Sequence, residues 1–322
     1  MDFIFTILPG GKCDLLCGLL LIFSVCRSST LLLIFVDSEP SSFLTYPTRV
    51  PIRMDNIIAL SEGKSLFGCD SDNYHSSRPD YPPEIYSLLL HHGAIKTNTR
   101  VFEIGPGTGQ ATRALLTLGC HITAIEPDFS LAKKLEQVLS ENDSLSIDCI
   151  SFEDITLDPE SFDLGIAATS LHWLNPETAL KKSFRLLRPG GWFAMWWTVF
   201  FTPNCIDEFQ RKTAYLFKNL RRSPSHSNDF INPFELQYEE RIMDLEMAGF
   251  TNIHCEEFKW TCSMDAKQNR DLTSTFSPIA SLPLKERINV LDKIESIVNE
   301  QFNGHVKRNF LSVIYLAQKP SE

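Results

Sequence analysis

Gly105, Gly107 and Gly109 fall at every second position, and an acid, Glu103, stands two residues before the first of them. Glycine at this spacing lets a backbone turn sharply and lets a ligand approach where a Cβ would collide. The next acid of interest, Glu126, lies 21 residues after Gly105 and closes an apolar run from His121 to Ile125. A carboxylate there can accept hydrogen bonds from both hydroxyls of a ribose. A third group, His172-Trp173, follows the apolar run Leu164 to Ala168. An imidazole at a strand end is a candidate general base, with a hydrogen-bonding role in the loop as the alternative.

The elements that must carry these residues follow from pattern. Val101 to Ile104 reads as a buried strand, and Gln110 to Leu118 as a helix that opens directly after the glycine turn. Strand, turn and helix in that order place an anion or a nucleoside at a helix N-terminus. Asp128 can cap a helix with Leu131, Leu135, Val138 and Leu139 on one face, and Leu145 to Ile150 reads as the third strand. Asn175 caps a further helix with Pro176 at its first position and Leu180, Phe184 and Leu187 inward; Leu186 to Gly191 forms a tight turn into the strand Trp192 to Val199. Upstream, prolines at 79, 82 and 83 predict an extended lead-in from Phe67, then a helix from about Pro83 that stops at Gly93.

Glycine spacing separates two cofactor classes. A dinucleotide fingerprint is G-x-G-x-x-G, whereas these residues read G-x-G-x-G with Glu103 ahead. That pattern resembles the first motif of class I S-adenosylmethionine-dependent methyltransferases, and Leu187-Arg188-Pro189-Gly190-Gly191 before a strand is a second, independent match. The resemblance extends over about residues 67 to 319 and is that of a type 11-like methyltransferase domain. Tyr74, Arg78-Pro79 and Tyr81-Pro82, together with Ser170, His172 and Trp173, resemble the small-molecule group that includes the trans-aconitate methyltransferases.

The resemblance implies a doubly wound, mostly parallel seven-stranded α/β sheet, Rossmann-like, with the final strand antiparallel and helical lid insertions. It implies S-adenosyl-L-methionine as cofactor, held by Glu103, Gly105, Gly107, Gly109 and Glu126, with Phe152, Glu153 and Asp154 at the adenine. Ser151 stands where many members of the family have Asp, which leaves Glu153 or Asp154 as acceptor for the adenine amine. Tyr74 and His172 would be the catalytic candidates, Arg78 and Trp173 the acceptor-binding ones. The acceptor is a small molecule, with a carboxylate oxygen suggested by the trans-aconitate likeness. Methyl transfer is an in-line displacement from a cationic sulfur, so a base is dispensable when the acceptor is already an anion.

Past Phe200 the motifs thin out. Ile206 to Leu220 reads as an amphipathic helix, Arg221 to Asn232 as a loop, and a helix from about Phe234 stops at Gly249. Asn252 to Cys262 reads as a strand, and helices follow near Asp265 to Phe276 and Leu284 to Phe302, the latter with Ile288, Leu291, Ile294 and Val298 inward. Asn309 to Gln318 reads as the last strand.

With 322 residues the chain can bury an ample core, and a net charge of −10 disfavours a nucleic-acid partner. The nine cysteines show no C-x-x-C pair and no histidine-rich spacing, so neither a metal site nor a disulfide frame is expected and a cytoplasmic location fits. Residues 1–53 are an apolar extension, read as an anchor or signal spanning residues 15–36, or as sequence upstream of a natural start at Met54. Residues 54–322 form the methyltransferase domain in this reading, with a cofactor half 67–199 and an acceptor half 200–322. A nicotinamide-dependent oxidoreductase and a non-catalytic S-adenosylmethionine-binding protein are the competing readings; a membrane tether would depend on the N-terminal segment.

Overall fold

The computed structural model describes residues 56–140, 142–200, 206–226 and 232–321, so the expectations for the N-terminal segment lie outside it. Its centre is a seven-stranded sheet of β1 (Arg100–Ile104), β2 (His121–Ile125), β3 (Leu145–Asp148), β4 (Phe162–Ala168), β5 (Leu187–Val199), β6 (Thr251–Asp265) and β7 (His305–Gln318). The spatial order is β3-β2-β1-β4-β5-β7-β6. The first five strands are parallel, whereas β7 runs antiparallel to both neighbours, which makes the sheet mixed.

Both faces of this sheet are covered, which is why its inner strands are nearly continuous apolar runs rather than alternating ones. One face packs Phe102, Phe193, Trp197 and Tyr315 against α6 (Pro176–Leu186) and α8 (Tyr238–Met247). The other packs Val101, Ile166, Trp196 and Ile314 against α3 (Pro83–His91), α4 (Gln110–Thr117) and α5 (Phe129–Leu139). The caps act as expected: Asp128 accepts from the Ser130 and Leu131 N–H groups, and Asn175 from that of Thr178.

β6 and β7 are longer than the sheet needs. Their pairing continues to Asp265↔His305, while β5 leaves β7 at Val199↔Leu311. The overhanging ribbon carries α7 (Glu208–Thr213), α9 (Ala266–Ser274), α10 (Ser277–Ala280) and α11 (Leu284–Gln301) with apolar cores of their own. Arg308 is buried there, donating from Nε to Asp207 Oδ2 at 3.1 Å and from Nη1 to Asn269 Oδ1 at 2.8 Å.

Four expectations need correction. The extended lead-in is confined to the stretch around the prolines: α1 (Leu60–Leu66) and α2 (Ser71–Ser77) precede it, because no proline constrains residues 71–77 and Asp70 Oδ1 caps Asn73. The helix expected from Ile206 to Leu220 is broken after Thr213 into a 3₁₀ turn, Ala214–Leu216, at a point the sequence does not mark with Gly or Pro. β5 begins at Leu187, so the Pro-Gly-Gly residues enter the strand, and Gly190 donates to the carbonyls of Lys319 and Pro320. Ile288 is 43% exposed; Ile297 takes the inward place on α11 beside Leu291, Ile294 and Val298.

Candidate functional site

The carboxyl ends of β1, β2 and β4 open into a cavity of ≈ 520 Å³. Gly105 and Gly107 line it with φ of +63° and +58°. A Cβ on Gly105 would stand 2.8 Å from Ser170 Cβ, so close approach as well as conformation requires glycine there. Gly109 faces away: its missing Cβ makes room for Leu135 of α5, which gives it a packing role rather than a place in the cavity wall.

The two acids of the motif are likewise separated by the fold. Glu126 lines the cavity; its Oε2 accepts from Gly107 N–H at 3.0 Å and its Oε1 from Asp128 N–H at 2.9 Å. Each oxygen keeps a lone pair for a ligand hydroxyl. Glu103 is wholly buried beneath the loop and accepts from Thr112 Oγ1 at 2.7 Å, while its Oε1 has no partner among the described residues. Burial raises both carboxyls to about 7; the bond from Thr112 opposes this at Glu103, and the backbone donors oppose it at Glu126. Glu103 therefore braces the loop from behind and does not reach the cavity.

At the end of β3, Phe152 and Glu153 line the cavity, Glu153 pairing with Lys64 at 3.1 Å. Asp154 does not line it, because its carboxylate accepts from the Ser151 hydroxyl. The Ser151 substitution noted in the sequence thus removes Asp154 from consideration and leaves Glu153 facing the ligand space.

α1 and α2 close the cavity from above. Gly63 lies against the Trp173 indole, where a Cβ would come within 2.1 Å of the ring, and Phe67 meets the Trp173 and Tyr74 rings edge-on. Arg78 follows, its guanidinium over the rings of Tyr74 and Phe200 at 5.1 Å and of Phe276 at 5.5 Å. Nη2 donates to the Thr275 carbonyl at 2.9 Å, and Nε has no partner among the described residues. Tyr74, Arg78, His172 and Trp173 all line the one cavity with Gly105, Gly107 and Glu126.

His172 is buried with one ring nitrogen occupied. Its Nδ1 accepts from Trp197 Nε1 at 3.0 Å, which leaves the ring proton on Nε2. Burial, helped by His226 and Arg78, lowers its pKa to about 3, so the ring is neutral and weakly basic.

Several lining residues carried no signal in the sequence. Thr169 sits at φ +58° where β4 ends, bonded to Tyr81 through its hydroxyl at 2.9 Å; only its place beside the Ser-Leu-His-Trp stretch pointed to it. His226 and Glu235 come from the weakly patterned half. The 3₁₀ turn Pro224–His226 packs between the turns Leu171–Trp173 and Phe234–Leu236, so His172, His226 and Glu235 follow one another along the wall. Glu235 is 5% exposed and its Oε2 has no hydrogen-bond partner among the described residues. Burial raises its carboxyl to about 7, against the hydrogen bond it accepts from its own backbone N–H and the pull of Arg241, which itself pairs with Asp244 at 2.8 Å.

Comparison with known proteins agrees with this arrangement. A family model described as a methyltransferase domain matches residues 102–195, the span that holds the glycine loop, Glu126 and His172. An uncharacterized methyltransferase of Schizosaccharomyces pombe is 28% identical over 79% of this chain and 96% of its own length. One from Mycobacterium bovis is 27% identical over 72% of this chain and 85% of its own. Among solved structures, the cyclase SpnF superposes with a TM-score of 0.53 at 15% identity, over 83% of this chain and 98% of that one. Phosphoethanolamine N-methyltransferase 2 of Haemonchus contortus, in complex with phosphomonomethylethanolamine and S-adenosylhomocysteine, superposes with a TM-score of 0.50 at 16% identity; the match covers 81% of this chain and 59% of that one. At these identities the structural likeness establishes the fold, and a cyclase sharing it shows that the fold alone does not set the reaction.

Proposed function

Because the chain is an S-adenosylmethionine-dependent methyltransferase, we propose that it methylates a small organic acid held against Arg78 in the cavity beyond the glycine loop. The observation that carries this reading is the placement of Arg78 in the wall of the cavity that the cofactor residues open, with Nε lacking a partner among the described residues. A guanidinium on three aromatic rings is pre-organised, and its planar set of N–H donors suits a carboxylate.

The residues present fit the cofactor. Gly105 and Gly107 leave the loop open to it, Glu126 has acceptor capacity for the ribose hydroxyls, and Phe152 and Glu153 flank the adenine position. When bound, the cofactor supplies an electrophilic methyl group on a cationic sulfur. Trp173, Phe67 and Tyr74 then exclude water from that end of the cavity. His172 Nε2–H offers a fixed donor, and Arg78 orients the acid. A carboxylate gripped by a guanidinium loses charge density from its oxygens, so the gripped group serves as anchor and a second group of the acceptor takes the methyl.

The test is S-adenosylhomocysteine release with a panel of small mono-, di- and tricarboxylic and hydroxy acids. Arg78→Met is expected to lower kcat/KM by about 10- to 100-fold, the worth of a charged hydrogen bond, while leaving cofactor affinity within about 3-fold. Equal turnover by the variant, or no methylation and no binding of any acid, would sink the reading.

A further inference from the structure

We propose that Glu235 is a catalytic residue: it takes the proton of a hydroxyl on the acceptor as that oxygen is methylated. This rests on the small-acid reading above and narrows it to hydroxy acids, with the carboxylate as anchor and the hydroxyl as the reacting group. The step balances without a further reactant. The hydroxyl proton passes to a Glu235 oxygen, the oxygen lone pair forms the bond to the methyl carbon, and the electron pair of the breaking C–S bond stays on sulfur.

Three observations carry this. Glu235 lines the cavity although it is nineteen-twentieths buried, and one oxygen has no partner among the described residues. An acid enclosed with one oxygen unpartnered among the described residues is costly unless something else offsets it; the charge of Arg241 offsets part of that cost, but its guanidinium pairs with Asp244 and donates to the Phe234 carbonyl rather than to that oxygen. The backbone of Glu235 is fixed, because its carbonyl accepts from the buried Tyr315 hydroxyl at 2.7 Å. The third observation is elimination. His172 has its Nδ1 occupied and bears its proton on Nε2, so it cannot act as base in that form, whereas Glu235 has an acceptor oxygen without a partner among the described residues and a carboxyl raised to about 7. Arg78 anchors the acid, and the aromatic faces of Trp173 and Phe200 in the same cavity suit a flat molecule between the two.

The experiment uses the full chain, with the three hydroxybenzoates, benzoate and isophthalate as probes. Calorimetry on the S-adenosylhomocysteine-loaded protein should show at least one hydroxybenzoate binding about 10-fold tighter than benzoate, and Glu235→Leu should erase that preference. With S-adenosylmethionine, that hydroxybenzoate should be methylated on its hydroxyl. Glu235→Gln should keep its affinity but lower kcat by about 100-fold or more, and Glu235→Asp should recover part of the loss. Unchanged binding of S-adenosylhomocysteine by all three variants shows that they fold. Isophthalate methylated equally well by wild type and Glu235→Gln, or hydroxybenzoates bound no better than benzoate, would overturn the role of Glu235 while leaving the small-acid reading intact. Failure of every acid to bind would instead remove that reading itself.

Discussion

The two halves of this cavity are held by different physics. On the cofactor side the wall is backbone: a glycine loop, a strand end, and a carboxylate fastened by the N–H groups of Gly107 and Asp128. On the side proposed for the acceptor it is side chains raised on an overhanging ribbon and short 3₁₀ turns, kept in place by buried polar contacts such as Arg308 with Asp207 and Asn269. A backbone-built site needs glycine and strand order at set spacings, and so it recurs among proteins that share the cofactor. A side-chain-built site can change with each substitution, and specificity can follow without loss of the fold.

Breaking the second region should cost most. Arg308→Met leaves the Asp207 carboxylate with its backbone donors but without its cation, and should destabilise the protein by about 3 kcal/mol in denaturant unfolding. If the halves are separable, the loss falls on acceptor turnover, and cofactor affinity stays within about 3-fold. A cofactor affinity that collapses with the variant would show that the lid and sheet act as one.

Glu126→Ala tests the first region. It removes the acceptor for the loop N–H groups and for the ribose, and should weaken S-adenosylmethionine binding by about 2–3 kcal/mol, with a smaller effect on stability. Calorimetry showing wild-type affinity would take Glu126 out of the cofactor site.

The smallest effect separates the two acids of the glycine motif by pH. Glu103 has a folded-state pKa raised to about 7 from 4.5, so the folded state binds more protons than the unfolded one between these values. Stability is then present at low pH and is lost as pH rises from about 4.5 to 7. Glu103→Gln should remove this slope, gaining about 2 kcal/mol relative to wild type on going from pH 5 to pH 8, with S-adenosylmethionine affinity little changed. A parallel pH dependence in variant and wild type would mean that Glu103 is not enclosed as described.

Much of this was legible beforehand, for reasons that differ by residue. β1, β2, α4 and the Asp128 and Asn175 caps were readable because local patterns specify local geometry: a buried parallel strand is a short apolar run, and a cap is one side chain in front of a helix. Gly105, Gly107 and Glu126, expected from their spacing, and Phe152 and Glu153, expected from the family resemblance, all line the cavity. Glu103, Gly109 and Asp154 were placed with them on sequence alone, yet adjacency in a motif does not say which way a side chain points. Glu103 turns under the loop to Thr112, Gly109 admits Leu135, and Asp154 is drawn to Ser151. Glu235 carried no signal in the sequence, since the residues that share its cavity wall, His226 and Trp197, come from elsewhere in the chain.

The sequence by itself determined the cofactor side: which strands lie inside, where the chain turns, and which acid follows the second strand, because hydrogen bonding and burial over a few residues leave little choice there. Only the tertiary structure decided the acceptor side. It set the proton of His172 through Trp197, stacked Arg78 on rings from two distant segments, and enclosed Glu235 with one carboxylate oxygen unpartnered among the described residues. Those outcomes depend on contacts between residues up to about two hundred positions apart, such as Arg78 with Thr275, and on the loss of water from the groups so enclosed.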